Sequence, residues 1–423
     1  MTANKNLSET LFKPKFDYPE TSSLIQRSGL NSNSSRSMLD GEGRQNWYRM
    51  INRLSWHWHG LPLLDIEEVL ARIAVSRKKR TNENWLDTVI GYQLGNWIYE
   101  FLAQSVVWQQ KAEQYHSSDD EQTISQNCHK AWLTASLFAG LASYPYFRND
   151  DLSTQAQVFA SRYYREAMNY SPYQIKELDF LVENKTVKAI LHTPLKKGDE
   201  PRVFPIVFLC SGLSNLQSDF YQYFVNYLAP LGVGLLTVDT PSIGASKQFN
   251  LSQNTSVIHQ AILEQIKSVP LIDYDKIILL GYRFGANIAM RLAYLMPNQI
   301  KGVINVAPVI HQFFTDRQMQ SQLPAIYRDI IASSLDHNSI SDQQLLAELQ
   351  FFSLKEQRLL TRPCAMPILN IYYEGDSMSS LDDIKLLTSS KKVSLIHIKS
   401  LALMKSLEQS SKQSSQWIEA LIK

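Results

Sequence analysis

Five residues, Gly281-Tyr282-Arg283-Phe284-Gly285, follow directly on the apolar run Lys276-Ile277-Ile278-Leu279-Leu280 and constrain the fold more than any other part of the chain. A buried strand, a tight turn with a glycine at each shoulder, and a helix opening near Ala286-Asn287 form the backbone signature of a nucleophile elbow. The glycines are needed because the chain doubles back so sharply that a Cβ at either shoulder would clash. The centre of such a turn ordinarily carries a serine. Here it carries Arg283, whose guanidinium stays protonated and cannot act as a serine-type nucleophile.

The sequence around the elbow fixes the sheet. Pro172 ends a helical half, and the period then changes: Ile175 to Val182 and Val187 to Thr193 read as an antiparallel pair turning at Glu183-Asn184-Lys185. Short apolar runs follow at Pro205 to Cys210, Val233 to Asp239, Lys276 to Leu280, Gly302 to Val306, Pro367 to Tyr373 and Val393 to Ile398. Amphipathic segments separate them near Ser218 to Leu231, Thr255 to Val269, Ala286 to Met296, Asp382 to Thr388 and Glu408 to Ile422. Continuous Val/Ile/Leu runs alternating with helices predict a mostly parallel sheet covered on both faces. Two antiparallel strands, then six parallel ones with the elbow after the fifth, is the strand order of an α/β-hydrolase core. The segment of about 311–360, between the sixth and seventh strands, is expected to form a helical cap over the site.

The N-terminal half has a different texture. Residues 1–40 are rich in Ser, Asn and Thr and read as a mobile arm. Seven of the eight tryptophans fall between Trp47 and Trp132, where apolar residues recur at helical spacing, so 41–172 is expected to be an all-helical domain and 173–423 the hydrolase domain. One helix is expected behind an Asp65…Glu68 capping box, one through Trp85, Val89, Tyr92, Trp97 and Phe101, and a last one capped by Asp150 or Asp151. The aromatic abundance suits large rings filling helix interfaces better than a ligand cage. A formal net charge of +2 with no long basic stripe gives no footprint for nucleic acid. No apolar segment approaches bilayer length, and the polar start from Met1 to Asp17 lacks a signal-peptide core. Cys128, Cys210 and Cys364 are scattered without metal-ligand spacing, as expected of reduced thiols in a cytoplasmic protein, and neither metal nor cofactor is expected.

Ligands in sheets of this kind bind beyond the carboxyl ends of the strands, which gives a short list of candidate residues. Ser211-Gly212-Leu213, after the third strand, stands where one backbone donor of an oxyanion hole is supplied, and the N–H of Phe284 supplies the other. Asp239, after the fourth, reads as the pin of a structural turn. Asp376, in Glu374-Gly375-Asp376 after the seventh, stands where a triad acid belongs, or caps the next helix. His311, after the sixth strand, is the better-placed histidine, because His397 lies on a strand and His57 and His59 lie among the tryptophans. Arg283 itself is either a buried-pair arginine or, at the head of a helix, one half of a site for a small carboxylate.

With the elbow in view, Asn6-Leu7-Ser8-Glu9-Thr10-Leu11-Phe12, Gly95-Asn96-Trp97, Asp239-Thr240-Pro241-Ser242-Ile243-Gly244 and Ala307-Pro308-Val309-Ile310-His311 complete a pattern over essentially the whole chain. That pattern resembles the fermentation–respiration switch protein (FrsA) family. The resemblance implies a cytoplasmic carboxylic ester hydrolase with an arginine at its elbow, acting on a small ester or carboxylate. It also implies a link to pyruvate decarboxylation and, as partner, the glucose-specific enzyme IIA of the sugar phosphotransferase system. On these terms Arg283, Asp376 and His311 are the candidate catalytic residues, and Ser211, Gly212, Leu213 and Phe284 the candidate oxyanion or ligand-binding ones. Asp376 or His311 would activate water in place of the missing serine.

Overall fold

The computed structural model describes residues 37–115, 121–337, 340–399 and 402–423. Five helices come first: α1 (Arg53–Trp58), α2 (Leu63–Ala74), α3 (Trp97–Gln114), α4 (Glu121–Ala142) and α5 (Asp151–Asn169). α4 lies against both α3 and α5. Asp150 caps α5 by accepting from Ser153 N, as its spacing predicts. Two expectations for this region fail. α2 is preceded by Pro62 and has no side-chain cap, because Asp65 sits inside the helix and its carboxylate instead accepts from Gln104 and Trp108 of α3. The pattern from Trp85 to Phe101 is not one helix: α3 starts at Trp97 behind the Asn96 cap, and the stretch before it is turns closed by the Arg80–Val89 bridge. The tryptophans are largely packing. Trp97 is fully buried against Phe101, and the buried Arg49 guanidinium lies over its ring at 4.7 Å while pairing with Asp87 at 3.2 Å.

The remaining strands are β1 (Tyr173–Val182), β2 (Lys185–Lys196), β3 (Phe204–Cys210), β4 (Gly234–Val238), β5 (Ile272–Tyr282), β6 (Gly302–Val306), β7 (Ile368–Tyr373) and β8 (Val393–Ile398). They form one eight-stranded sheet in the order β1-β2-β4-β3-β5-β6-β7-β8, antiparallel through β1, β2 and β4 and parallel from β4 onward. This is the α/β-hydrolase order. Its central strands are buried along nearly their whole length, which is why they read as unbroken apolar runs. The covering helices are α6 (Val257–Gln265) and α7 (Phe284–Leu295), then α8 (Gln312–Thr315), α9 (Arg317–Ser321), α10 (Ala325–Ser334) and α11 (Asp342–Leu349) between β6 and β7. α12 (Leu381–Leu386) and α13 (Leu403–Ile422) follow. The expected helix after β3 is an irregular mixture of 3-10, α and π turns over 217–231, ended by Gly232 in the left-handed region. No described helix is long and apolar enough to cross a membrane.

The arm expected over 1–40 lies outside the described residues up to 36. Its end does not behave as a mobile segment: Ser37, Leu39 and Asp40 are buried, with consequences for the site.

One buried group inside the sheet's cover carries a prediction. His259 on α6 is fully buried beside Phe208, and neither ring nitrogen has a hydrogen-bond partner among the described residues. Burial pulls its pKa down to about 3. The unfolded chain therefore takes up a proton at about pH 6.5 that the folded chain refuses, and stability present above that pH is lost as pH falls toward 3. His259→Leu is expected to raise stability by about 1 kcal/mol at pH 7.5 by removing an unsatisfied polar group, and by more at pH 5. Denaturant midpoints at the two pH values measure both. An equal gain at each pH would contradict the neutral-imidazole assignment.

Candidate active site

Arg283 occupies the elbow at φ 50° and ψ −112°. A side-chain-bearing residue held there costs on the order of 1–3 kcal/mol and persists only where its surroundings impose it. Its N–H donates to Val306 O at 2.8 Å, and its carbonyl accepts from Ala286 N at 3.0 Å and Val309 N at 3.3 Å. The shoulders have no room for side chains. A Cβ on Gly285 would fall 1.8 Å from the Cys210 carbonyl oxygen, and one on Gly281 would fall 2.4 Å from Ala286 Cα. Both obstacles are backbone, which cannot swing away. Gly285→Ala is therefore expected to cost about 3 kcal/mol through overpacking. A denaturation midpoint close to wild type would contradict it.

The guanidinium does not face an open site. Nη1 pairs with Asp40 Oδ1 at 2.6 Å, and Nη2 with Asp376 Oδ2 at 3.2 Å. The two carboxylates are held in turn: Ser377 Oγ donates to Asp40 Oδ2 at 2.6 Å, and Ser37 Oγ to Asp376 Oδ2 at 2.8 Å. Met378 N and Ser379 N donate to Asp376 Oδ1 at 2.9 and 2.8 Å. The Tyr327 ring lies 5.9 Å from the guanidinium carbon. All three charged residues are at least nine-tenths buried. Burial works against the arginine's charge, but Asp376 and Asp40 overcome it and hold its pKa well above the ordinary value.

This arrangement corrects two expectations. The fork that was to bind a small carboxylate already holds two carboxylates from the chain itself, so an incoming anion meets an excess negative charge. Asp376 stands at the triad-acid position but lines neither of the two cavities at the elbow, and its oxygens are taken up by Arg283, Ser37 and the next turn's N–H groups, so it both clamps the arginine and caps the turn. His311 is also displaced from the chemistry. Its Nδ1 bonds Ser353 Oγ at 2.8 Å, its N–H and those of Ile310 and Gln312 donate to Asp383, and it lines neither cavity at the elbow. Burial and the nearby Lys355 lower its pKa. It ties the cap to the core.

The backbone donors keep their expected places. Phe284 opens α7, so its N–H has no acceptor within the helix. Its ring is fixed between Phe314 and Phe352, with centroids at 6.1 and 6.2 Å. Gly212, Leu213 and Phe284 line a cavity of about 50 Å³. Ser211 is buried behind them with no partner for its hydroxyl among the described residues. A second cavity, of about 150 Å³, lies between the N-terminal helices and the sheet and is lined in part by Trp56, Trp58, Leu137 and Tyr223. Ser214, Tyr282, Arg283 and Tyr327 line both.

Three residues in this site escape sequence inspection: Asp40, Ser214 and Asp219. Asp219 belongs to the irregular turn after β3 and lines the larger cavity, accepting from Leu216 N at 3.0 Å. Burial, reinforced by the Asp239 charge and opposed by the Leu216 and Asn215 hydrogen bonds, pushes its pKa up to about 7. Its carbonyl meets His59 Nδ1 at 2.9 Å, and burial of that ring lowers its pKa to about 4, a neutral and structural histidine. Asp239 does pin its turn, accepting from Gln217 N at 2.7 Å and Ala245 N at 2.8 Å. Among the described residues there is no group of three His, Cys, Asp or Glu side chains able to hold a metal ion.

Comparison with known proteins gives the family and the fold. The model of the FrsA-like family, described as Esterase FrsA-like, matches residues 2–423. Esterase FrsA of Yersinia pestis (strain Pestoides F) is 42% identical over 420 residues, covering 99% of each chain, and that of Yersinia pseudotuberculosis serotype O:1b (strain IP 31758) matches equally. Among solved structures, 2,6-dihydroxy-pseudo-oxynicotine hydrolase superposes with a TM-score of 0.68 at 14% identity, over 87% of this chain and 95% of that one. AbyA5 superposes with a TM-score of 0.60 at 15% identity, over 85% and 95%. These structural likenesses carry the fold alone. Family match, identity and elbow together place the chain: it belongs to the FrsA-like esterase family, with the α/β-hydrolase fold.

Proposed function

We infer that the chain hydrolyses carboxylic esters by direct attack of water, with no acyl-enzyme intermediate. The observation that carries this reading is the elbow itself: its backbone is held in the strained form, and the head of α7 and the Gly212-Leu213 loop border a cavity, but no hydroxyl stands at its centre. The N–H groups of Phe284 and Leu213 would stabilise the oxyanion from the small cavity, and Asp219, in the larger cavity that shares a wall with it, would be the base acting on water between the two, its pKa of about 7 being suited to proton transfer near neutrality. In the attack, the water oxygen bonds to the carbonyl carbon while its proton passes to the Asp219 carboxylate. Collapse of the tetrahedral oxyanion then breaks the ester C–O bond. The departing alkoxide takes the proton from Asp219, leaving acid and alcohol and restoring the base. Arg283, Asp40 and Asp376 hold the elbow rather than react.

Stopped-flow hydrolysis of a 4-nitrophenyl ester separates this route from covalent catalysis. The expected release of nitrophenol is linear from the first turnover, and quenched protein keeps its unmodified mass. A burst of one equivalent with an acyl adduct would overturn the reading.

A second reading, favoured by the sealed Arg283 fork, makes the chain a regulatory partner of the glucose-specific enzyme IIA, the partner implied by the family resemblance. Absence of any hydrolysis, with capture of that partner only in its unphosphorylated form, would support it.

A further inference from the structure

The two cavities at the elbow are separate spaces that meet on one wall, formed by Ser214, Tyr282, Arg283 and Tyr327. Their sizes differ threefold, about 50 Å³ against about 150 Å³. At about 10–15 Å³ for each water-sized site, the smaller holds roughly three to five such sites and the larger roughly ten to fifteen. Besides that shared wall, the smaller is lined by the apolar side chains of Leu213, Val309, Phe313, Ile330, Ile331 and Met378. The larger runs between the helical domain and the sheet, with leucines and aromatic rings over most of its wall.

Resting on the hydrolase reading above, we propose that the substrate is an ester, without anionic groups, of a short acyl group and a bulky apolar alcohol, the acyl group seated in the small cavity and the alcohol in the interdomain cavity. The assignment of the two ends follows from the oxyanion donors. Phe284 and the Gly212-Leu213 loop border the small cavity, so the carbonyl must be presented there, with the acyl carbons bonded directly to it. The ester oxygen then carries the alcohol across the shared wall. An acyl chain of two to four carbons fills the small cavity; an aromatic or branched alcohol fills the large one.

Charge decides against anionic substrates. Arg283 and Asp40 both line the larger cavity and cancel each other at 2.6 Å, while Asp376 leaves the buried cluster with one negative charge in excess and the Asp219 carboxylate lines the same cavity. A carboxylate or phosphate group on the substrate is repelled by these charges. The carboxylate product is repelled too, which favours its release. The interdomain wall offers rings and leucines to an apolar group, and the Arg283 guanidinium is already matched, so the alcohol carries no anionic group.

The test uses the full-length protein and kcat/KM for three ester pairs. 2-Naphthyl acetate is expected to exceed 2-naphthyl octanoate at least tenfold, and 2-naphthyl acetate to exceed ethyl acetate. 2-Naphthyl acetate is expected to exceed its anionic analogue 6-acetoxy-2-naphthoate at least tenfold. Leu137→Phe, which fills the interdomain cavity, should lower the ratio of 2-naphthyl acetate to ethyl acetate at least tenfold; Leu141→Phe serves if that variant does not fold. Ile331→Phe should lower the ratio of butyrate to acetate among naphthyl esters. Preference for octanoate, preference for the anionic ester, or filler variants that leave both ratios unmoved would overturn the proposal while leaving ester hydrolysis standing. If no ester is turned over, the hydrolase reading fails instead. The cavity assignment is then read by calorimetry with N-(2-naphthyl)acetamide: binding weakened at least tenfold by Leu137→Phe supports it, and binding unchanged overturns it.

Discussion

Arg283→Ala is expected to destabilise the protein by about 3–5 kcal/mol, because it leaves Asp40 and Asp376 buried without their common cation. Arg283→Lys keeps one charge but cannot span both carboxylates with a planar fork, and should fall between wild type and alanine. Adding Asp40→Asn and Asp376→Asn to Arg283→Ala should recover much of the loss at pH 7, since the repulsion is then gone. Guanidinium titrations of the set measure all of this. A single Arg283→Ala variant within 1 kcal/mol of wild type at pH 7 would show that the cluster is open to water and contributes little.

Asp219→Asn is expected to lower kcat by about 100- to 10,000-fold, the usual contribution of a positioned base. The amide keeps an oxygen to accept from Leu216 N, so the turn that carries the residue should persist and Tm should change little. KM should move less than kcat, because the carboxylate acts on water rather than on the apolar groups of the ester. A loss of Tm in proportion to the loss of rate would reduce Asp219 to a turn cap.

The fold was legible because its evidence is local and repetitive. Unbroken apolar runs at β3, β4, β6 and β7 announced a buried parallel sheet, and Gly281 and Gly285 announced the elbow, since backbone lies where their side chains would be. The helical half was read less well. Trp85 and Val89 mimic helical spacing but belong to turns fixed by long-range contacts, and Asp65 copies a cap while serving α3.

The site was legible only where the chain order gives it away. Phe284, Gly212 and Leu213 border the cavity as their places after strands imply. Asp40 gave no signal, because its partner Arg283 is 243 positions away and nothing in a polar arm marks one aspartate as buried. Asp219 was hidden for another reason: its pKa is raised chiefly by burial, which no short motif encodes. His311 misled because position after a strand says nothing about which way the ring turns, and Ser353 captures it.

The pH dependence of kcat/KM for a neutral short-acyl ester tests the central claim, that a buried carboxylate activates water beside an elbow without a nucleophile. The base must be ionised to work, so the rate should rise with pH and level off above about 7, where Asp219 titrates. The neutral substrate adds no ionisation of its own, so the inflection belongs to the protein. In Asp219→Asn that inflection should disappear, together with most of the rate. An inflection near 7 that survives in Asp219→Asn, or a wild-type rate that is flat from pH 5 to 9, would contradict the account.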